Sequence, residues 1–258
     1  MKTTNRVLVW DLPTRIFHWL FAGGFFVAAI FAFGFGEHSP FFSYHAIFGL
    51  IIFLIVVLRV LWGFIGTRYA RFDSFTFSPK SVFEYLKGAL RGDGNKYVGH
   101  NPGSAYAIFA MLIMMIGLGI TGIMLGTGNE WVEELHEILA YAMISVVVLH
   151  IMGVLLHIIR HRENIIASMI HGKKEVEAHQ AISSSRPIIG VIFLVLTGAW
   201  AWGLYANYDA SIQSTRLPLI GTQLQIGEIE NEDEPDQTED HGYKDDHDEY
   251  HEDEECDD

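Results

Sequence analysis

Cysteine is almost missing from this 258-residue chain; Cys256 is the only one. One thiol excludes a disulfide scaffold. It also excludes thiolate-held iron–sulfur clusters, cysteine zinc sites and thioether attachment of a cofactor within the chain. Positive charge is scarce as well, with 17 Lys and Arg against 31 Asp and Glu. A basic nucleic-acid binder is therefore excluded. The formal charge of −14 divides into +3 on residues 1–208 and −17 on residues 209–258.

Charge is nearly absent from long stretches, Arg59 and, at the edge of the fourth, Glu137 being the exceptions. Five apolar runs approach or exceed the roughly 20 residues a helix needs to cross hydrocarbon: about Ile16–Gly36, Tyr44–Ile65, Ala105–Gly126, Leu135–Ile159 and Pro187–Ala206. The first two hold no acid and one base, Arg59. Five such runs do not fit a soluble core, and helices are the practical spanning element at this length. The first run is too long for a removed signal peptide, and no A-x-A-like site follows it. The expected fold class is an all-α integral membrane protein.

Lys and Arg mark the orientation. Lys2, Arg6 and Arg15 precede the first run. Arg68, Arg71, Lys80, Lys87, Arg91 and Lys96 follow the second, and Arg160, Arg162, Lys173, Lys174 and Arg186 follow the fourth. The other two loops, Glu37–Ser43 and Thr127–Glu134, carry none. The N-terminus is therefore expected in the cytoplasm, and five spans put the C-terminus outside. Within one basic loop, Ser78 and Pro79 read as an N-cap and first helical residue. Val82, Phe83, Leu86 and Leu90 follow at helical spacing up to Gly92. Such a helix lies at the interface with Lys80, Lys87 and Arg91 toward headgroups, or packs on the bundle.

Residues 228–258 hold 18 acids in 31 positions and cannot pack a core. His241, His247, His251 and Cys256 lie among the carboxylates without a tight metal-site spacing. The segment reads as a solvated acidic tail; its leading functional reading is electrostatic docking of a basic partner.

Thirteen histidines remain to be explained. His100, His161, His171 and His179 lie in or beside basic loops, His38 in a neutral loop, and three in the tail. Five fall within the spans: His18, His45, His136, His150 and His157. Polar groups at that depth are costly and usually functional. Topology places His18 near the cytoplasmic side and His45 and His136 near the outer side. His150 lies 14 residues after His136, about 21 Å deeper and within about 40° of the same helix face. Each depth then holds a pair: His45 with His136, and His18 with His150. Two stacked bis-histidine sites in a helical bundle are what two b-type haems require. His157, seven residues past His150 on the same face, competes with it as ligand on these grounds. The glycines at 23, 24, 49, 117, 119, 122 and 153 serve close helix approach or clear room for a macrocycle.

Several stretches resemble one family. WDLPTRIFHW at Trp10–Trp19, His45-x-x-x-Gly49, Arg59-x-x-Trp62-Gly63, Gly99-His100-Asn101-Pro102, the His136–His150 spacing and His171-Gly172-Lys173-Lys174 are similar to bacterial cytochrome b561 and the b-type cytochromes of nickel–iron hydrogenases. The resemblance covers residues 6–175. It implies a four-helix diheme cytochrome b domain, with His18 and His150 ligating the cytoplasmic-side haem and His45 and His136 the outer one. His157 then becomes a neighbour of the haem rather than a ligand. Arg15 and Arg59 are candidate propionate partners, against ordinary snorkelling to headgroups. Residues 187–206 form an additional transmembrane helix whose Trp200, Trp202 and Tyr205 suit an outer aromatic belt. Residues 207–258 form an acidic, disordered periplasmic tail. The resemblance further implies the bacterial inner membrane, and electrons exchanged between quinone or quinol and a periplasmic c-type cytochrome or redox enzyme subunit. Two other readings are a self-contained quinone-linked oxidoreductase acting on a small oxidant or superoxide, and a non-haem metal-ion carrier.

Overall fold

In the computed structural model, residues 4–36, 39–91 and 97–227 are described. The acidic segment 228–258, with its three histidines and Cys256, lies outside them, as do His38 and Gly92. The chain order is β1 (Thr4–Leu8), α1 (Leu12–Phe35), α2 (Phe42–Ile65), α3 (Pro79–Arg91), α4 (Pro102–Gly126) and α5 (Glu133–His161). It continues through α6 (Ile165–His171), β2 (Lys173–Glu177), α7 (Pro187–Ala206), β3 (Ser214–Arg216) and β4 (Gln223–Gln225). α1, α2, α4, α5 and α7 are long and apolar enough to cross a membrane.

Local chemistry sets where these helices begin. Asp11 caps α1, accepting from the Thr14 N–H at 2.8 Å, and Pro13 occupies the first turn. Asn101 caps α4 in the same way, accepting from the Ser104 N–H at 2.8 Å ahead of Pro102. Both are the short polar side chains that satisfy orphan amides at helix starts. Ser78 accepts from the Ser81 N–H at the start of α3, as its position before Pro79 predicts. α6 ends on Gly172, whose φ of 80° is the left-handed conformation that glycine adopts without a Cβ penalty.

α1 packs on α2, α2 on α4 and α4 on α5, while α7 lies against α1 and α2. Ile52, Val56, Leu112, Met115, Leu118 and Met143 fill the shared interior. Each end is closed by a two-stranded antiparallel sheet. At one end β1 pairs with β2, Thr4 opposite Glu177 and Leu8 opposite Lys173. The basic residues that mark orientation in the sequence flank this end. At the other end β3 pairs with β4, and Leu217, Leu224 and Ile226 bury against Ile47, Leu50 and Leu204.

Two expectations change here. Residues 207–227 carry the β3–β4 hairpin rather than the start of a disordered tail, because Leu217, Leu224 and Ile226 supply apolar burial that residues 228–258 lack. Trp200 is not a lipid-facing belt residue: its indole N–H donates to the Leu50 carbonyl at 3.1 Å and joins α7 to α2. Trp202 and Tyr205 are exposed, as a belt requires. Of its two expected placements, α3 shows packing on the bundle: Tyr85 lies against Gly103 of α4, while Phe83 and Leu86 stay exposed.

Candidate functional site

The five histidines of the spans gather at two levels. Toward the β3–β4 end, His45 on α2 and His136 on α5 face each other, ring centroids 6.3 Å apart and planes crossed at 86°. Each ring has its Nδ1 engaged. His45 Nδ1 lies 3.0 Å from the Ala28 carbonyl, so it must donate. His136 Nδ1 lies 2.8 Å from Thr121 Oγ1. The Thr121 hydroxyl also lies 2.9 and 3.2 Å from the Gly117 and Leu118 carbonyls; with its proton turned to these, it accepts from His136. With a proton on each Nδ1, both Nε2 atoms keep their lone pairs, which is the metal-binding tautomer.

Toward the β1–β2 end, His18 on α1 and His150 on α5 line one cavity of about 340 Å³ with His100 and His157. That volume is in the range of about 300–1,000 Å³ typical of cofactor and ligand pockets. α1, α4, α5, α6 and residues 97–101 form its walls. The lining is mostly apolar, including Phe17, Phe21, Phe25, Met111 and Leu155. Lys174 is its one Lys or Arg, and no Asp or Glu lines it among the described residues. His18 Nδ1 is buried without a hydrogen-bond partner among the described residues.

Two imidazole nitrogens holding one metal from opposite sides lie about 4 Å apart, which sets ring centres about 6 Å apart. The 6.3 Å of His45 and His136 matches that spacing. No group of three or more His, Cys, Asp or Glu comes together among the described residues to hold a bare ion. Paired imidazoles with apolar walls instead suit a metal whose remaining ligands come from a macrocycle. Of the two uses expected of the glycines, close helix approach is the one seen. A Cβ on Gly119 would collide with the Phe53 ring, and one on Gly24 would lie 3.0 Å from Ile52. A Cβ on Gly23, Gly49 or Gly153 would meet nothing within 4 Å, but none of these lines the cavity, and Gly23 and Gly153 are exposed. The residues present therefore fit haem.

The two arginines singled out in the sequence are engaged elsewhere, and neither lines the cavity. Arg15 donates to the Ile170 carbonyl at 2.6 Å, tying α1 to α6. Arg59 is 2% exposed, sandwiched between the Phe17 and Phe72 rings, and donates to the Ala70 carbonyl at 3.0 Å. Lys174 takes the cavity position instead. Its ammonium bonds the Tyr97 carbonyl at 3.1 Å and Glu163 at 3.2 Å, and His157 lies 3.7 Å from the same carboxylate. Glu163 lies beyond the end of α5, with its pKa lowered to about 2 by His157 first, over the opposing effect of burial, and then by Lys174.

His100 is the residue that sequence position most understates. It sits in a loop, yet it is buried between Trp10 and Phe75, ring centroids 4.7 and 4.6 Å away. Burial and the nearby cations Arg59 and Lys174 lower its pKa to about 3, so it is neutral at physiological pH. Its Nε2 has no partner among the described residues. The signal in the sequence is its place just before the Asn101 cap, which fixes it at the start of α4.

The model of the prokaryotic cytochrome b561 family matches residues 9–172, which include both histidine levels but not α7 or the β3–β4 hairpin. The chain is similar to a probable Ni/Fe-hydrogenase B-type cytochrome subunit of Rhizobium leguminosarum bv. viciae, 26% identical over 213 residues, 65% of this chain and 88% of that one. The probable subunit of the same name in Rhodobacter capsulatus is 23% identical over 222 residues, 67% and 83% of the two chains. A probable Ni/Fe-hydrogenase 1 B-type cytochrome subunit of Escherichia coli K12 is 27% identical over 138 residues, 44% and 57%. No solved structure matches. With five helices long and apolar enough to span a membrane, a facing pair of imidazoles and a family match over more than half its length, the chain belongs to the prokaryotic cytochrome b561 family.

Proposed function

We propose that this membrane b-type cytochrome carries electrons across the bilayer through two b haems. His45 and His136 hold one, and His18 and His150 hold the other. The observation that carries the reading is the facing of His45 and His136 at 6.3 Å with both Nδ1 atoms occupied. That arrangement leaves the Nε2 lone pairs of two neighbouring rings for a shared iron. Haem iron supplies reversible one-electron exchange.

The protein's own part is positioning and insulation. Ala28 and Thr121 fix the ring orientation of one pair. Phe17, Phe21 and Phe25 exclude water around the other. His100 and Lys174 offer polar contacts inside the second cavity, where a propionate or a second ligand needs them. Arg15 and Arg59 hold α1 and the 66–75 loop in place and are not assigned to propionates. Residues 6–175 form the diheme domain in this reading, and α7 with the hairpin forms an attached cover.

The electron donor and acceptor in this reading are membrane quinone or quinol and a redox enzyme subunit. The relatives, named as probable B-type cytochrome subunits of Ni/Fe hydrogenases, favour a hydrogenase-type enzyme over a c-type cytochrome as that partner. The family, prokaryotic cytochrome b561, favours a bacterial inner membrane, and the flanking basic residues favour the β1–β2 end in the cytoplasm and the β3–β4 end outside.

Single alanine substitutions of the four histidines test the ligand set by haem extraction from the purified protein. His45→Ala and His136→Ala are expected to remove one haem and His18→Ala and His150→Ala the other. If His150→Ala keeps both haems and His157→Ala loses one, His157 is the ligand instead.

A further inference from the structure

We propose that Thr121 is a positioning residue that sets the redox potential of the haem held by His45 and His136, through the hydrogen bond its hydroxyl accepts from His136. The proposal rests on the ligand reading above.

Threonine in a helix often turns its hydroxyl back onto its own backbone, and Thr121 does so toward Gly117 and Leu118. What sets it apart is the third contact, 2.8 Å to His136 Nδ1 on a different helix. In the ligand reading His136 gives its Nε2 to the iron, so its Nδ1 carries the proton and the Thr121 hydroxyl accepts it, turning its own proton to α4. Thr121 is buried, and Gly122 beside it also lies close to the His136 ring: a Cβ there would stand in ordinary contact, 3.5 Å from His136 Cε1. The contact therefore fixes the ring's tautomer, its rotation and its distance from His45.

A ligating imidazole that donates its other N–H becomes more basic. A more basic ligand favours ferric over ferrous iron and lowers the potential. The two levels differ in this respect. Both Nδ1 atoms of the His45–His136 pair have acceptors, whereas His18 Nδ1 has none among the described residues. The Thr121 bond thus helps make the two haems inequivalent.

The test is an optical redox titration of the full-length protein, with low-temperature electron paramagnetic resonance of the ferric haems, in Thr121→Val and Thr121→Ser. Thr121→Val is expected to change the ferric-to-ferrous ratio of one haem about tenfold, a rise of about 59 mV for a one-electron couple, and to alter its resonance signal. The other haem stays unchanged, and Thr121→Ser, which keeps the hydroxyl, returns the wild-type values. Unchanged potentials and spectra in Thr121→Val, or an equal shift in Thr121→Ser, overturn the proposal. If Thr121→Val does not assemble, Thr121→Ala is read by the same outcomes. His136→Ala separates the two claims: retention of both haems there refutes the ligand assignment itself.

Discussion

Replacing Asp11 with alanine is expected to loosen the whole β1–β2 end. The carboxylate is 1% exposed and serves three partners. Oδ1 caps α1 at Thr14, while Oδ2 accepts from the Trp62 indole at 3.1 Å and from the Thr67 hydroxyl. Loss of an N-cap costs about 1 kcal/mol, and each bond to a buried charged acceptor about 1.5 kcal/mol or more. Asp11→Ala is thus expected to destabilise by about 4 kcal/mol. Asp11→Asn keeps the cap and is expected to lose about half as much. Two turns further along α1 lies His18, so slack at Asp11 also displaces a proposed ligand. The assay is denaturant unfolding in detergent micelles, followed by helical signal and by release of bound haem. An Asp11→Ala protein within 1 kcal/mol of wild type would refute the reasoning.

Two further predictions concern packing and pH. Gly119→Ala drives a Cβ into the Phe53 ring and is expected to cost about 1–3 kcal/mol, most of it recovered by adding Phe53→Leu; thermal unfolding of the single and double variants measures both. His100 has a pKa lowered from 6.5 to about 3, so the unfolded chain binds that proton first, and stability falls as pH drops from 6.5 toward 3. Glu163, lowered from 4.5 to about 2, adds a second loss that begins below pH 4.5. His100→Phe is therefore expected to lessen the slope of the stability profile between pH 6.5 and 4.5 by one group's share and leave the lower limb in place, as measured by equilibrium unfolding across that range.

The spans, their order and the two histidine levels are legible in the sequence because hydropathy and helix periodicity are local signals. Fourteen residues of α5 bring His136 and His150 to one face whatever surrounds them. The Asp11 and Asn101 caps and the Ser78 start follow from the same local chemistry. What surrounds the site is not local. Arg59 reads as a propionate partner from depth alone, but its real contacts are the Phe17 and Phe72 rings and the Ala70 carbonyl. Lys174 lies in a strand 156 positions after His18, and only the pairing of β2 with β1 carries it to the cavity. His100 looks like a loop residue until Trp10 and Phe75 close over it. Thr121 is one of several hydroxyls on apolar helices, and the packing of α4 against α5 selects it. The β3–β4 hairpin is hidden because strands of three residues leave almost no periodic trace.

The most direct test of the account is a dithionite-reduced-minus-oxidised optical spectrum of the purified full-length chain, with haem extracted and counted against protein. Two acid-extractable b-type haems per chain are predicted, one for each histidine pair. A single haem would contradict the two-level conduit, and a colourless protein expressed with ample haem would contradict electron transfer through these histidines altogether.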